Sequence, residues 1–94
     1  MLDELLILKK IKEGDIKAFE ELFRRYYFPL CCYAAGITGQ MAVAEEIVEE
    51  LFYVLWKERV RLQIFQSVKS YLYRATRNQS LQYCEHEEVR NRYR

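Results

Sequence analysis

The chain has 94 residues, 51% hydrophobic and 31% charged, with a formal net charge of +1. That length supports one domain and not two, and the balance of apolar and charged residues excludes a disordered chain. One Pro and three Gly leave too little turn material for a many-stranded sheet, and the longest stretch free of strongly polar residues, FPLCCYAAGI, is too short to span a bilayer.

The first residues, MLDELLILKKIKEGD, place acids before basics and carry no small-residue cleavage site. They do not make a secretory signal, so a cytoplasmic location is expected. Leu2, Leu5, Leu6, Leu8 and Ile11 recur at helical spacing and predict a short first helix, which Gly14 ends. Asp15 then stands where an N-cap belongs, ready to accept from the exposed amides of the next helix. The second helix is expected from about residue 16 to about residue 35. Its apolar set is Ile16, Phe19, Leu22, Phe23, Tyr26, Tyr27, Leu30 and Ala34. Pro29 falls inside it, removes one backbone bond, and is expected to bend or divide the helix near Tyr26–Tyr27.

GITGQ, residues 36–40, reads as the clearest break, with Thr38 or Gln40 as the cap of a third helix over about 41–58. Ala44, Ile47, Val48, Leu51 and Leu55 make its buried stripe, with Phe52 a further candidate, and Glu45, Glu46, Glu49 and Glu50 make the wet face. RVRLQIFQ is a linker without Gly or Pro. The fourth helix is expected to start near Ser67, a good N-cap, and to run to about Tyr83 or beyond. The polar EHEEVRNRYR either extends that helix or frays. The fold expected is all-α, a compact bundle of about four helices forming one domain over residues 1–94.

Catalytic chemistry has little to stand on. The one His, His86, lies in the polar tail, away from any nucleophile and orienting group. A di-iron centre needs Glu three residues before His, and Tyr83 stands there instead. GITG lacks the Lys and Ser/Thr of a phosphate-binding loop. Cys31, Cys32 and Cys84 form no CxxC pair and read as reduced, mostly buried thiols. No enzyme activity, metal or cofactor is expected.

The small net charge hides an asymmetry. Residues 1–56 carry six Lys/Arg against ten Asp/Glu, a net −4, and residues 57–94 carry nine against four, a net +5. Such a change of sign suggests an anionic partner for the second half, although Arg90, Arg92 and Arg94 also suit a solvated helix end. On the fourth helix, Lys69, Tyr73, Arg77 and Ser80 fall near one face, and Arg74 and Asn78 share an adjacent face with Tyr71. Arginines bind phosphates bidentately, Asn reads a base edge, and exposed tyrosines stack on unpaired bases. Val68, Leu72 and Ala75 belong to the core side. The acidic face of the third helix reads either as a solvated surface or as a dock for a basic protein.

GDIKAFEELFRRYYFPLCCYA, AEEIVEELFYVLW and SVKSYLYRATRNQSLQY, in this order and spacing, resemble region 2 of bacterial RNA polymerase sigma factors, and among them the extracytoplasmic-function type. The resemblance covers about Gly14–Tyr83. It implies a helical bundle whose acidic third helix docks on the clamp helices of the polymerase β′ subunit. By position, Glu46, Glu49, Glu50, Phe52 and Trp56 would take part. It implies further that the loop over about Arg61–Ser67, with Ile64, Phe65 and Gln66, captures a flipped base of the −10 promoter element on the single-stranded non-template strand. Arg74 and Arg77, with Lys69 beside them, would hold phosphates, Asn78 would face a base edge, and Tyr71 would sit at the duplex fork. An anti-sigma factor would use the same surfaces; no membrane partner is implied.

The chain departs from the family at named positions. Glu49 stands where Gln is usual, and Tyr71 where Trp is frequent. The family's helix-turn-helix domain for the −35 element has no counterpart before Arg94, so this domain alone is not expected to read a whole promoter. The competing reading is a helical protein-interaction module with no nucleic-acid role.

Overall fold

Three of the four helices begin where the sequence supplies a side-chain acceptor. The computed structural model describes residues 3–64 and 67–93. Asp3 caps α1 (Glu4–Lys12) by accepting from the Leu5 amide at 3.2 Å. Asp15 caps α2 (Ile16–Thr38), accepting from the amides of Lys17 at 3.0 Å and Ala18 at 3.2 Å. Ser67 caps α4 (Val68–Arg92) through the Ser70 amide at 3.2 Å. Each such cap satisfies a donor that the first turn leaves unpaired. Only α3 (Met41–Lys57) starts without one: Gln40 occupies the position and makes no capping bond, and Thr38 Oγ1 accepts from the Gln40 amide instead. Neither of the expected caps works as one.

The break between α2 and α3 falls later than the sequence suggests. α2 runs through Gly36 to Thr38 and stops at Gly39, whose φ of 77° is the left-handed conformation that glycine adopts without strain. Pro29 does not divide α2. A helix-interior proline costs about 3 kcal/mol. Here it is exposed, and the turns on both sides bury side chains in one core, Leu22 before it and Leu30, Cys31 and Ala34 after it. At the other end of the chain, α4 extends to Arg92, and its last two turns are almost wholly exposed.

α2 is the spine, packing on α1, α3 and α4, and α3 also packs on α4. The described residues contain these four helices, a 3₁₀ turn at Arg59–Arg61, and no strand. The shared core joins Ile7, Leu8 and Ile11 of α1, Leu22, Leu30 and Ala34 of α2, Ala44, Val48, Phe52 and Leu55 of α3, and Val68 and Leu72 of α4. Phe52 is only 1% exposed, with Phe19 and Phe23 edge-on at 6.1 and 5.0 Å. Ile47 and Leu51 are half-buried, while Leu5, Leu6 and Ile16, members of the helically spaced apolar sets, are exposed; Leu2 lies outside the described residues. Of the cysteines, Cys31 is buried and Cys84 half-buried, but Cys32 is exposed. Adjacent helical residues differ by about 100° in direction, and here Cys31 faces the core beside Leu30 while Cys32 falls beyond its edge.

Two tyrosines give the fold a pH dependence. Tyr26 donates to the Glu4 carboxylate at 2.6 Å, tying α2 to α1 beside the Arg25–Glu4 and Arg25–Glu21 ion pairs. Burial, then the hydrogen bond to Glu4, pushes the Tyr26 phenol from 10.0 up to about 12. Burial, then the neighbouring Cys31, raises Tyr27 to about 12 as well. The folded state thus favours the neutral phenols. Their contribution is fully present below the ordinary value of 10.0 and is lost as pH climbs through about 12. Denaturant midpoints followed by circular dichroism should therefore fall across that alkaline window, and Tyr26→Phe should lose its share of the fall. A flat profile in the wild type would contradict the burial of both rings.

Candidate functional site

The acidic face of α3 borders a groove whose α4 wall is polar and aromatic, while the basic side chains of α4 lie outside it. Glu45, Glu46, Glu49 and Glu50 are all exposed on α3, and none takes part in an ion pair among the described residues. They divide by direction. Glu45 and Glu49 lie toward α2, where their charges act on Tyr27 and Cys31. Glu46 and Glu50 border a groove of ≈ 570 Å³ between α3 and α4, whose far wall carries Tyr71 and Asn78. Next to them on α3, Tyr53 is 59% exposed.

Phe52 is corrected as a docking residue. It points inward into the aromatic cluster and holds α3 in place instead of meeting a partner. Trp56 is half-buried, with Phe19 at 5.1 Å and the Arg59 guanidinium 4.2 Å from its ring, so it offers little free surface. Cation–π contact with a partly buried ring stabilises the end of α3. The same Arg59 donates to the Trp56 carbonyl at 2.9 Å.

The α4 residues do not share one face. Arg74, Arg77 and Lys69 are exposed and unpaired among the described residues. Tyr71 and Asn78 instead turn to the α3 side and line the groove, with Arg74 outside it. The Lys69–Tyr73–Arg77–Ser80 face is broken, because Ser80 is fully buried and Tyr73 packs edge-on against Tyr33 at 5.1 Å. Ala75 is half-buried beside the buried Val68 and Leu72. What remains is an outward cationic ridge, a half-buried tyrosine at its flank, and an acidic wall opposite.

The segment before α4 is held at both ends. Arg59 anchors its start on Trp56, and the Ser67 hydroxyl is occupied in capping α4. Arg61 is exposed and only loosely paired with Glu58 at 3.8 Å. Ile64, expected at a base, packs its side chain against the core and is half-buried. Phe65 and Gln66 lie outside the described residues. Two contributors have no signal in the sequence pattern: Arg59, and Lys12, whose ammonium donates to the Leu62 carbonyl at 2.6 Å. The described residues contain no cluster of His, Cys, Asp and Glu able to hold a metal ion, and no helix long and apolar enough to cross a membrane.

The family model described as Sigma-70 region 2 matches residues 22–89. A solved structure, the NMR structure of a complex of an engineered region 2 of sigmaE with GTAAAA, superposes with a TM-score of 0.79 at 21% identity. The match covers 95% of this chain and 93% of that one, and it is a likeness of fold. No curated protein matches the sequence.

Proposed function

The chain belongs to the sigma-70 region 2 family, and from that premise we propose that it is a transcription-initiation domain of the extracytoplasmic-function type. In sigma factors this region binds RNA polymerase and the −10 element. Here α3 is the polymerase-facing helix, with Glu46, Glu49 and Glu50 meeting the β′ clamp helices. α4 and the segment before it take the non-template strand as single-stranded DNA. The domain works by binding and carries out no catalysis, and its place of work is the cytoplasm, where polymerase and promoter are.

One observation carries the reading: α3 and the middle of α4 each carry a cluster of exposed like charges with no ion pair among the described residues, Glu45, Glu46, Glu49 and Glu50 on one and Lys69, Arg74 and Arg77 on the other. Four carboxylates at i, i+4 spacing repel one another by a few tenths of a kcal/mol per pair, a cost that a cationic partner removes. Arg74 and Arg77 stand free for phosphates. Tyr71 presents a partly exposed ring at the groove edge, where an unpaired base can stack for about 1–3 kcal/mol, enough to offset the few kcal/mol of unpairing. Glu49 and Tyr71 keep their departures from the family pattern, a more acidic dock and a smaller stacking ring. An anti-sigma factor would compete for both surfaces.

The test is a titration of the domain against a β′ clamp-helix fragment, wild type beside Glu50→Lys. Saturable binding is expected, weakened in the variant by at least about thirtyfold, as reversing a charge at the centre of a complementary interface costs about 2 kcal/mol or more. A folded, helical wild type that does not bind would favour the interaction-module reading. The complex of the structural relative with GTAAAA makes that hexamer a suitable first single-stranded probe.

A further inference from the structure

α1 precedes the residues that the family model matches, yet it reaches the segment that leads into α4. The Lys12 ammonium donates to the Leu62 carbonyl at 2.6 Å, across 50 positions of sequence. Residues 62–64 belong to no helix, and the backbone at Leu62 is extended. Among the described residues, the Lys12 bond is the one hydrogen bond that enters this segment from another part of the molecule. The same end of α1 forms a wall opposite the segment: Leu8 and Lys9 face Val60 and Ile64 across a cavity of ≈ 500 Å³.

The bond contributes little to stability. It is exposed, so water would serve the carbonyl in its absence, and the lysine gives up rotamer freedom to hold it. What it does fix is position. The segment is anchored at its start by Arg59 on Trp56 and at its end by the Ser67 cap; Lys12 pins the backbone between them. Recognition that depends on a fraction of an ångström is sensitive to such supporting contacts.

We propose that Lys12 is a positioning residue for base recognition: from α1 it holds the 62–64 segment through the Leu62 carbonyl, so that Gln63, exposed between the core-packed Leu62 and Ile64, is presented to an unpaired base. This rests on the single-strand-binding reading above. Lys12 acts on the loop and not on the DNA, so it governs discrimination between bases more than affinity for the strand.

The test uses the full chain and a pool of single-stranded DNA hexamers randomised at every position. Preferred hexamers are retitrated over a range of salt with wild type, Lys12→Met and Lys12→Arg, with circular dichroism as the check on folding. Lys12→Met keeps the aliphatic stem and drops the donor. It should fold, keep the salt slope, and lose about threefold or more in discrimination at one base position, because the segment is no longer held in one place. Lys12→Arg should restore most of that discrimination. A uniform loss for all hexamers with a slope flattened by about 0.7 would make Lys12 a direct phosphate ligand and overturn the proposal. Unchanged discrimination in Lys12→Met would overturn it too. A folded wild type that binds no hexamer would remove the single-strand reading itself, and the proposal with it.

Discussion

Phe52→Ala is expected to destabilise the domain by about 3–5 kcal/mol, the usual cost of truncating a buried phenylalanine. A domain of this size has roughly 5–15 kcal/mol in all, so the variant should be marginal or unfolded near physiological temperature. The reason is geometric. Phe52 is the largest fully buried side chain, and it fills the junction where Phe19 and Phe23 of α2 meet α3. Those half-buried rings cannot collapse into the space without leaving their contacts with Trp56 and Tyr27. The neighbour Tyr53 is the control: it is 59% exposed, and Tyr53→Ala should change stability by no more than about 0.5 kcal/mol. Thermal melts should separate the two by some 10 °C or more, at about 4–8 °C per kcal/mol for a domain of this length. If Phe52→Ala melted like wild type and still lost polymerase binding, Phe52 would be a contact residue after all and its place in the core would be wrong.

The same pair explains what was legible in the sequence. A 3.6-residue period gives the helices and most of their inward faces, because burial on a helix repeats with that spacing. Asp15 and Ser67 mark helix starts by a local chemistry that needs no tertiary information, and both cap as read. Phe52 was ambiguous because a wide apolar stripe has edges. Leu51, Phe52 and Leu55 are all apolar, and only the position of α2 decides which of them faces inward. Pro29 misled for a related reason: its local cost is real, but tertiary packing on both sides outweighs it. Gly36 and Gly39 look alike in sequence, and only one of them needs a positive φ.

The functional surface was legible in its charges and not in its assembly. Acidic α3 and basic α4 follow directly from residue type. That Tyr71 and Asn78 turn toward Glu46 and Glu50, away from Arg74, depends on how α4 is rotated against α3. Lys12 left no trace at all, since a lysine at the end of a first helix is commonplace and its partner is a backbone carbonyl 50 positions away. A contact to a backbone carbonyl so far along the chain leaves no side-chain signature at its acceptor, so sequence patterns miss it.

The rotation of α4 also sharpens what its arginines should do. Arg74→Ala combined with Arg77→Ala is expected to lower affinity for single-stranded DNA by about a hundredfold or more at low salt, taking each charge-assisted contact as about 1.5 kcal/mol or more. The log–log salt slope should flatten by about 1.4, since each phosphate neutralised on a single strand contributes about 0.7. The gap between wild type and variant should therefore narrow as salt rises. Both side chains are exposed and unpaired among the described residues, so folding should be unaffected. Asn78→Ala tests the division of labour. Asn78 lies in the groove beside carboxylates, a poor place for a phosphate, so its removal should leave the slope unchanged and alter base preference instead. Titration of the GTAAAA hexamer and its single-base variants by fluorescence anisotropy at several salt concentrations measures all of this. An unchanged slope in a folded double variant would remove both arginines from the interface. Flattening by about 0.7 would mean that only one of them reaches the strand, and the two single variants would say which.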